Sequence, residues 1–323
     1  MKGFDPKFNN FPEYINGITY EIWEEGLSEE KLHKYYASDI LVRSPASIII
    51  GNESVIAATK DTLSEFPDRK LFGEDVIWSG SPEEGMLSSH RILSTATHSG
   101  NGQFAKATSN KLSYRVIADC HAINNQINDE WLVRDQGAIA RQIGLTPENF
   151  ARFEIEREGG PDNCVRPFSD SIDQPGPYRG KGNENEWGEK YSDILNRLMN
   201  SDISVVQKEF DRACQLEYPG GFTGHSFSDV EGFWMGLRSS MPSASFEIKH
   251  QIGREDSMMP PRAAVRWTLK GRHDGLGLFG EPTGAELYVM GISHAEFSPW
   301  GLRREYVVID EIAIWKQILL TTG

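Results

Sequence analysis

Residues 131–143, WLVRDQGAIARQI, return as residues 306–318, YVVIDEIAIWKQI. Six of the thirteen positions are identical, the first is aromatic in both, and the eleventh is basic in both. A match of this length within one chain marks an internal duplication. It puts one acid, Asp135 or Asp310, at the middle of each copy.

The match spreads outward. Arg91 to His98 and Arg266 to His273 span seven residues each, and Val55 to Pro67 and Val230 to Pro242 span twelve each. Each copy holds a further histidine in a later strand, His121 and His294, and these read as counterparts. They precede the repeated aspartate by fourteen and sixteen residues. On that pairing the last hairpin of the second copy is the longer, with Ser298-Pro299-Trp300-Gly301 at its tip.

A chain of 323 residues suggests about two domains. They read as 1–150 for the first copy, a Gly- and Pro-rich linker at 151–188, and 189–323 for the second. An apolar fraction of 38% suffices for two ordinary cores. Mean hydropathy is −0.46 and no apolar run approaches twenty residues, which argues against a membrane helix. The opening MKGFDPKFNNFPEY lacks the apolar stretch of a secretory signal. A net charge of −14 without a Lys/Arg cluster argues against nucleic acid as a partner. Three cysteines without close pairs argue against disulfides or zinc, so a reducing, cytoplasmic setting is expected.

Helical spacing runs from Tyr14 through Ile18, Ile22 and Trp23, breaks at Gly26-Leu27-Ser28, and resumes through Leu32, Tyr35 and Tyr36. Residues 53–65 form a further helix. The period then becomes two, which predicts strands at 69–79, 86–98, 112–123 and 126–144. The second copy repeats this with helices at 191–199 and 205–216 and strands at 246–253, 262–272, 287–297 and 303–318. Helices followed by a run of strands make an α+β layout in each copy.

The segment 266–284, RWTLKGRHDGLGLFGEPTG, followed by a His-bearing strand and an aromatic-to-Asp strand, resembles the SnoaL-like polyketide cyclases of the nuclear transport factor 2-like superfamily. The first copy keeps Thr97-His98-Ser99-Gly100 and Phe104 of that pattern. The resemblance covers roughly 14–145 and 189–320. It implies two tandem cone-shaped domains, each of helices on a curved antiparallel sheet around a pocket. It also implies an aspartate on the last strand as acid/base, assisted by a histidine on the preceding strand. The matching positions are Asp135 with His121 and Asp310 with His294, the first pair keeping the better spacing.

Residues four apart on a strand share a face, so Trp131 points with Asp135 and Tyr306 with Asp310. On a concave face each acid would sit in an apolar pocket, and desolvation would raise its pKa toward neutrality. The alternative is a strand charge paired across the sheet. His98 and His273 precede Gly turns, and are either hairpin-end residues or part of a binding site. His90 shares strand parity with His98 and could line the same pocket. Trp23 and Tyr36 could join Trp131 in contacting a flat ligand, or could be plain core. Cys120 and His121 are adjacent on a strand and face opposite ways, which argues against a Cys–His nucleophile. No nucleophile elbow, phosphate loop or dinucleotide fingerprint is present.

These readings converge on a small, largely apolar carbonyl compound as ligand and on cofactor-independent acid/base chemistry: aldol-type cyclisation, isomerisation or dehydration. The alternative is a non-catalytic binding or scaffolding module of the same fold. The two copies are expected to pack as an intramolecular pseudo-dimer, with neither nucleic acid nor membrane as partner, and a further homodimer is left open.

Overall fold

The structure is a computed structural model that describes residues 1–25 and 29–323. The break expected at Gly26-Leu27-Ser28 lies outside the described residues. The opening helix α1 (Phe11–Trp23) starts before Tyr14 because Asn10 caps it, its side chain accepting the Glu13 N–H at 2.9 Å. Phe4 and Phe8 pack on Tyr14 at ring distances of 4.8 and 5.5 Å.

The first half continues with α2 (Glu29–Tyr35), β1 (Tyr36–Arg43), β2 (Ile48–Ile50), α3 (Asn52–Glu65), β3 (Lys70–Ser81), β4 (Gly85–Thr97), β5 (Lys111–Ile123) and β6 (Gln126–Arg134). Its sheet has the order β2-β1-β6-β5-β4-β3. All pairings are antiparallel except β1 with β6, which is parallel. The second half repeats this as α6 (Glu186–Met199), α7 (Ser204–Glu209), β7 (Phe210–Tyr218), β8 (Phe222–Gly224), α8 (Phe227–Ser240), β9 (Ser245–Arg254), β10 (Arg262–Arg272), β11 (Glu286–Ser298) and β12 (Gly301–Ile309), with sheet order β8-β7-β12-β11-β10-β9. Residues 210–216, expected as helix, are strand. The α+β order stands in both halves.

The repeated thirteen-residue motif is not one strand. In each copy it is a strand end, a cap and a helix: α4 (Gln136–Gln142) and α9 (Glu311–Thr322) follow Asp135 and Asp310 directly. Both aspartates are N-caps, Asp135 accepting from Ala138 N and Asp310 from Ile312 N and Ala313 N. The apolar spacing after each acid, Ala138-Ile139-Ile143 and Ala313-Ile314-Ile318, has the helical period. The span read as linker begins inside helix α5 (Pro147–Arg157), which Thr146 caps, and it holds the buried rings of Phe168 and Tyr178.

Strand register fixes the true correspondence of the halves. Arg91 pairs with Ile117, and Arg266 with Ile292; β5 and β6 end at Ile123 and Arg134, β11 and β12 at Ser298 and Ile309. The two last hairpins are therefore equally long. His121 answers Glu296, and His294 answers Asp119. The pairing of His121 with His294 was a two-residue slip, and the longer second hairpin was its consequence.

The sheets pack back to back. Ile117, Trp131 and Val133 of the first meet Tyr288, Met290, Ile292 and Val308 of the second, with Phe168 and Tyr178 of the connection between them. Buried ion pairs cross the same surface, Arg266 to Asp119 at 3.3 Å, Arg91 to Glu296 at 3.2 Å, and Arg262 to Asp75. Each desolvated arginine there needs its acid, because an unpaired buried charge costs several kcal/mol.

The two cone interiors are filled differently. In the second half Trp234 of α8 and Trp267 of β10 are wholly buried with ring centroids 5.7 Å apart, and Leu237 and Met241 pack around them. The corresponding first-half positions are Thr59, Ile92, Thr62 and Phe66. Trp234→Ala should therefore cost about 3–5 kcal/mol of stability, and Thr59→Ala about 1 kcal/mol or less, both read by denaturant unfolding of the full chain. Equal losses would contradict this difference in packing.

Candidate ligand site

The space that the tryptophans fill in the second half is a cavity of 340 Å³ in the first. Its walls are Ile15, Ile18 and Thr19 of α1, Val55, Ala58, Thr59 and Thr62 of α3, and the inward faces of β4, β5 and β6. Small residues make the room. Ala58, Thr59, Ile92 and Ser44 stand where the second half has Phe233, Trp234, Trp267 and Tyr218.

Strand alternation decides which β6 side chains enter the cavity. The β5–β6 register slips between His121 and Ala122, leaving Asn128 as an extra residue. Ile127 then Glu130, Leu132 and Arg134 face the cavity. Trp131 and Val133 face the other half. The expectation that Trp131 and Asp135 share the concave face is thus reversed. Apolar alternation did not mark the cone interior because the outer sheet face is buried as well.

Glu130 is the acid that β6 places in this cavity. Its Oε2 accepts the Tyr36 hydroxyl at 2.9 Å, and both groups are buried. Burial pushes the Glu130 carboxyl up to about 7, against the pull of the Tyr36 bond. Burial drives the Tyr36 phenol well above its ordinary range, so it remains a donor. Glu305, the second-half counterpart, is also raised to about 7 by burial. It is enclosed by three donors, Tyr191, Tyr218 and Trp234, the first at 2.9 Å and the last at 3.3 Å.

His90, Tyr36 and Trp23 line the cavity. Burial, and then the charge of Arg91, push His90 down to about 3, which keeps its ring neutral, and its Nε2 has no partner among the described residues. Cys120 also lines the wall, but burial raises its thiol far above the reactive range.

The repeated aspartates have exchanged halves. Asp135 leaves its own cone and accepts the N–H groups of Gly220 at 2.9 Å and Gly221 at 3.1 Å in the second half. Both glycines have positive φ, 82° and 74°, which lets successive N–H groups converge on one carboxylate. Burial still raises Asp135 to about 6. Asp310 reaches the other way. Asp310 accepts from Gln136 Nε2 at 2.9 Å and lines the first-half cavity. Burial raises it to about 7.

No family model matches the chain, and no curated protein does. Solved structures do resemble it. IdmH of Streptomyces antibioticus, a candidate polyketide cyclase, shares 19% identity over 42% of this chain and 98% of its own, with a TM-score of 0.37. AclR of Streptomyces galilaeus, a candidate hydroxylase, shares 16% over 41% and 94%, with a TM-score of 0.36. A SnoaL-like polyketide cyclase of Agrobacterium tumefaciens shares 18% over 42% and 98%, with a TM-score of 0.33. Each spans less than half of this chain and nearly all of itself. The chain is a tandem pair of α+β domains, each with a six-stranded sheet. These likenesses concern the fold alone.

The other residues expected from sequence lie outside the first-half cavity. His121 Nδ1 meets Asn128 Oδ1 at 2.6 Å, away from both repeated aspartates. His98 and His273 play one role twice: each is buried at a hairpin end with Nδ1 on a threonine, Thr108 at 3.1 Å and Thr283 at 2.9 Å. Trp131 and Tyr306 stack beneath arginines at the domain contact, Arg266 at 3.9 Å and Arg91 at 3.6 Å from their ring centres. His294 lies between the sheets, with Nε2 2.8 Å from Ser89 Oγ and Nδ1 3.3 Å from an Arg91 nitrogen. Arginine can only donate, so Nδ1 accepts, the proton sits on Nε2, and His294 cannot act as base toward Ser89.

Sequence reading missed Glu130, Arg69, Arg134 and Gln136. A signal for the first was present: a glutamate precedes the aromatic of the motif in both copies, as Glu130-Trp131 and Glu305-Tyr306. Among the described residues no helix is long and apolar enough to cross a membrane, and no acidic, His or Cys cluster could hold a metal ion.

Because the folded-state pKa of Glu130 is raised from 4.5 to about 7, the folded chain holds that proton more tightly than the unfolded chain. The resulting stabilisation is full below about 4.5 and is lost as pH rises through about 7. Wild type should therefore lose stability relative to Glu130→Gln over that window, by at most about 1.4 kcal/mol per pH unit. Denaturant unfolding of both proteins at pH 5, 6, 7 and 8 reads the difference, and a difference independent of pH would contradict the assignment.

Proposed function

We propose that the first SnoaL-like domain binds a small, largely apolar carbonyl compound and that Glu130 takes a proton from the carbon beside the carbonyl. The observation that carries this reading is an apolar cavity with a carboxyl near pKa 7 in one half, against a filled cone with a fully bonded glutamate in the other. A carboxyl near 7 is populated in both forms at neutral pH, so it can take a proton and return it. Tyr36 would hold the carboxylate in place. Neutral His90, which lines the same wall, would donate to the enolate oxygen as charge develops there. The product would be a rearranged, cyclised or dehydrated form of the same skeleton. The second domain supplies Asp310 to the cavity wall and otherwise supports the first. Three buried free cysteines suit a reducing, cytoplasmic setting.

The test uses 2-acetylnaphthalene, a flat apolar ketone, with the full chain. Wild type should bind it, seen as a change in tryptophan fluorescence, and should speed deuterium uptake at its methyl group in D2O, followed by proton NMR. Glu130→Gln should keep binding and lose about 10²-fold or more of the exchange rate. Thr59→Trp, which installs the second half's filler, should abolish both. Binding without exchange above buffer in wild type would support the non-catalytic module instead, and undiminished binding in Thr59→Trp would remove the cavity from the account.

A further inference from the structure

Four buried arginines of this chain, Arg43, Arg91, Arg262 and Arg266, each have a carboxylate within salt-bridge distance. Arg69 is also buried, 8% exposed, and among the described residues no carboxylate comes that close to it. Nor does one come that close to Arg134, the next arginine in the same wall. Both guanidinium groups line the first-half cavity, and the Nε of each is buried without a partner among the described residues. Burial chiefly destabilises the Arg69 charge, the Tyr114 phenol beside it gives partial support, and the Arg134 charge opposes it.

Two like charges brought together in an apolar wall without an acid are unfavourable unless something else neutralises them. The duplication supplies an independent comparison. The second-half positions answering to Arg69, Arg134 and Tyr114 hold Ala244, Ile309 and Val289. The cations therefore occur only in the half that has a cavity. If they served the fold of the cone, the filled cone would be expected to carry them too. Asp61, Glu130 and Asp310 all line the cavity, but among the described residues none reaches salt-bridge distance of either arginine, and burial raises Glu130 and Asp310 toward neutrality.

We propose that Arg69 and Arg134 receive a carboxylate carried by the ligand, so that the compound bound in the first domain is an apolar keto acid with its carbonyl toward Glu130 and its carboxylate at the arginine end. The guanidinium fork matches two carboxylate oxygens, and the missing acid of the cavity is then the ligand's own. This rests on the reading of the cavity as the ligand site.

The test compares 2-naphthoate with 2-acetylnaphthalene, equal in shape and different in charge, by calorimetric titration of the full chain at low salt. The acid should bind at least about tenfold more tightly than the ketone. Arg134→Met and Arg69→Met should each remove that preference, weakening the acid about tenfold while changing the ketone less than about threefold. Thr59→Trp should abolish binding of both. Equal affinity of the two probes in wild type, with both lost in Thr59→Trp, would overturn the carboxylate site and leave the cavity reading intact. Binding of neither probe would overturn both. The wild-type comparison stands even if an arginine variant fails to fold.

Discussion

The packing of one sheet against the other governs this molecule. It buries both faces of the central strands, one against helices and one against the partner half. The β6 residues from Glu130 to Arg134 therefore face one of two interiors. Trp131 and Val133 fill the contact between halves, while Glu130 and Arg134 enter the cone. The same packing forces the connection at Phe168 and Tyr178 into the core and requires an acid for each arginine trapped between the sheets.

The packing also carries the two repeated aspartates across the molecule. Each caps the helix that leaves its own sheet and reaches the neighbouring half. One accepts two glycine N–H groups of the other half; the other accepts from Gln136 and stays at the cavity wall. The cones have diverged in the same sense. Bulky rings close one and hold Glu305 with three donors; small side chains open the other and leave Glu130 with one.

Much of the fold was legible because duplication repeats its evidence. The order of helices and strands, the twin sheets and the paired histidine turns all followed from periodicities present twice. The site was less legible, for a physical reason. Alternation tells which strand residues share a face but not which buried face encloses space, so WLVRD pointed to Asp135 when the cavity held its neighbour Glu130. The aspartates looked like strand residues because a cap at the seam of strand and helix carries both periods. His121 and His294 were matched by residue type, and only strand register exposed the two-residue slip. Trp23, Tyr36 and His90 line the open cone, a place that aromatic content and strand parity alone could not distinguish from plain core. Arg69 and Arg134 were invisible, because a missing partner is a property of three dimensions.

The central claim is that one cone is open and its copy is filled. Xenon enters dry apolar cavities of sufficient size without needing the right functional groups. A crystal of the full chain under xenon pressure should show a xenon site bounded by Ile15, Ile18, Val55 and Ile92, and none among Trp234, Trp267 and Leu237. Xenon in the second cone, or its absence from the first, would contradict the account.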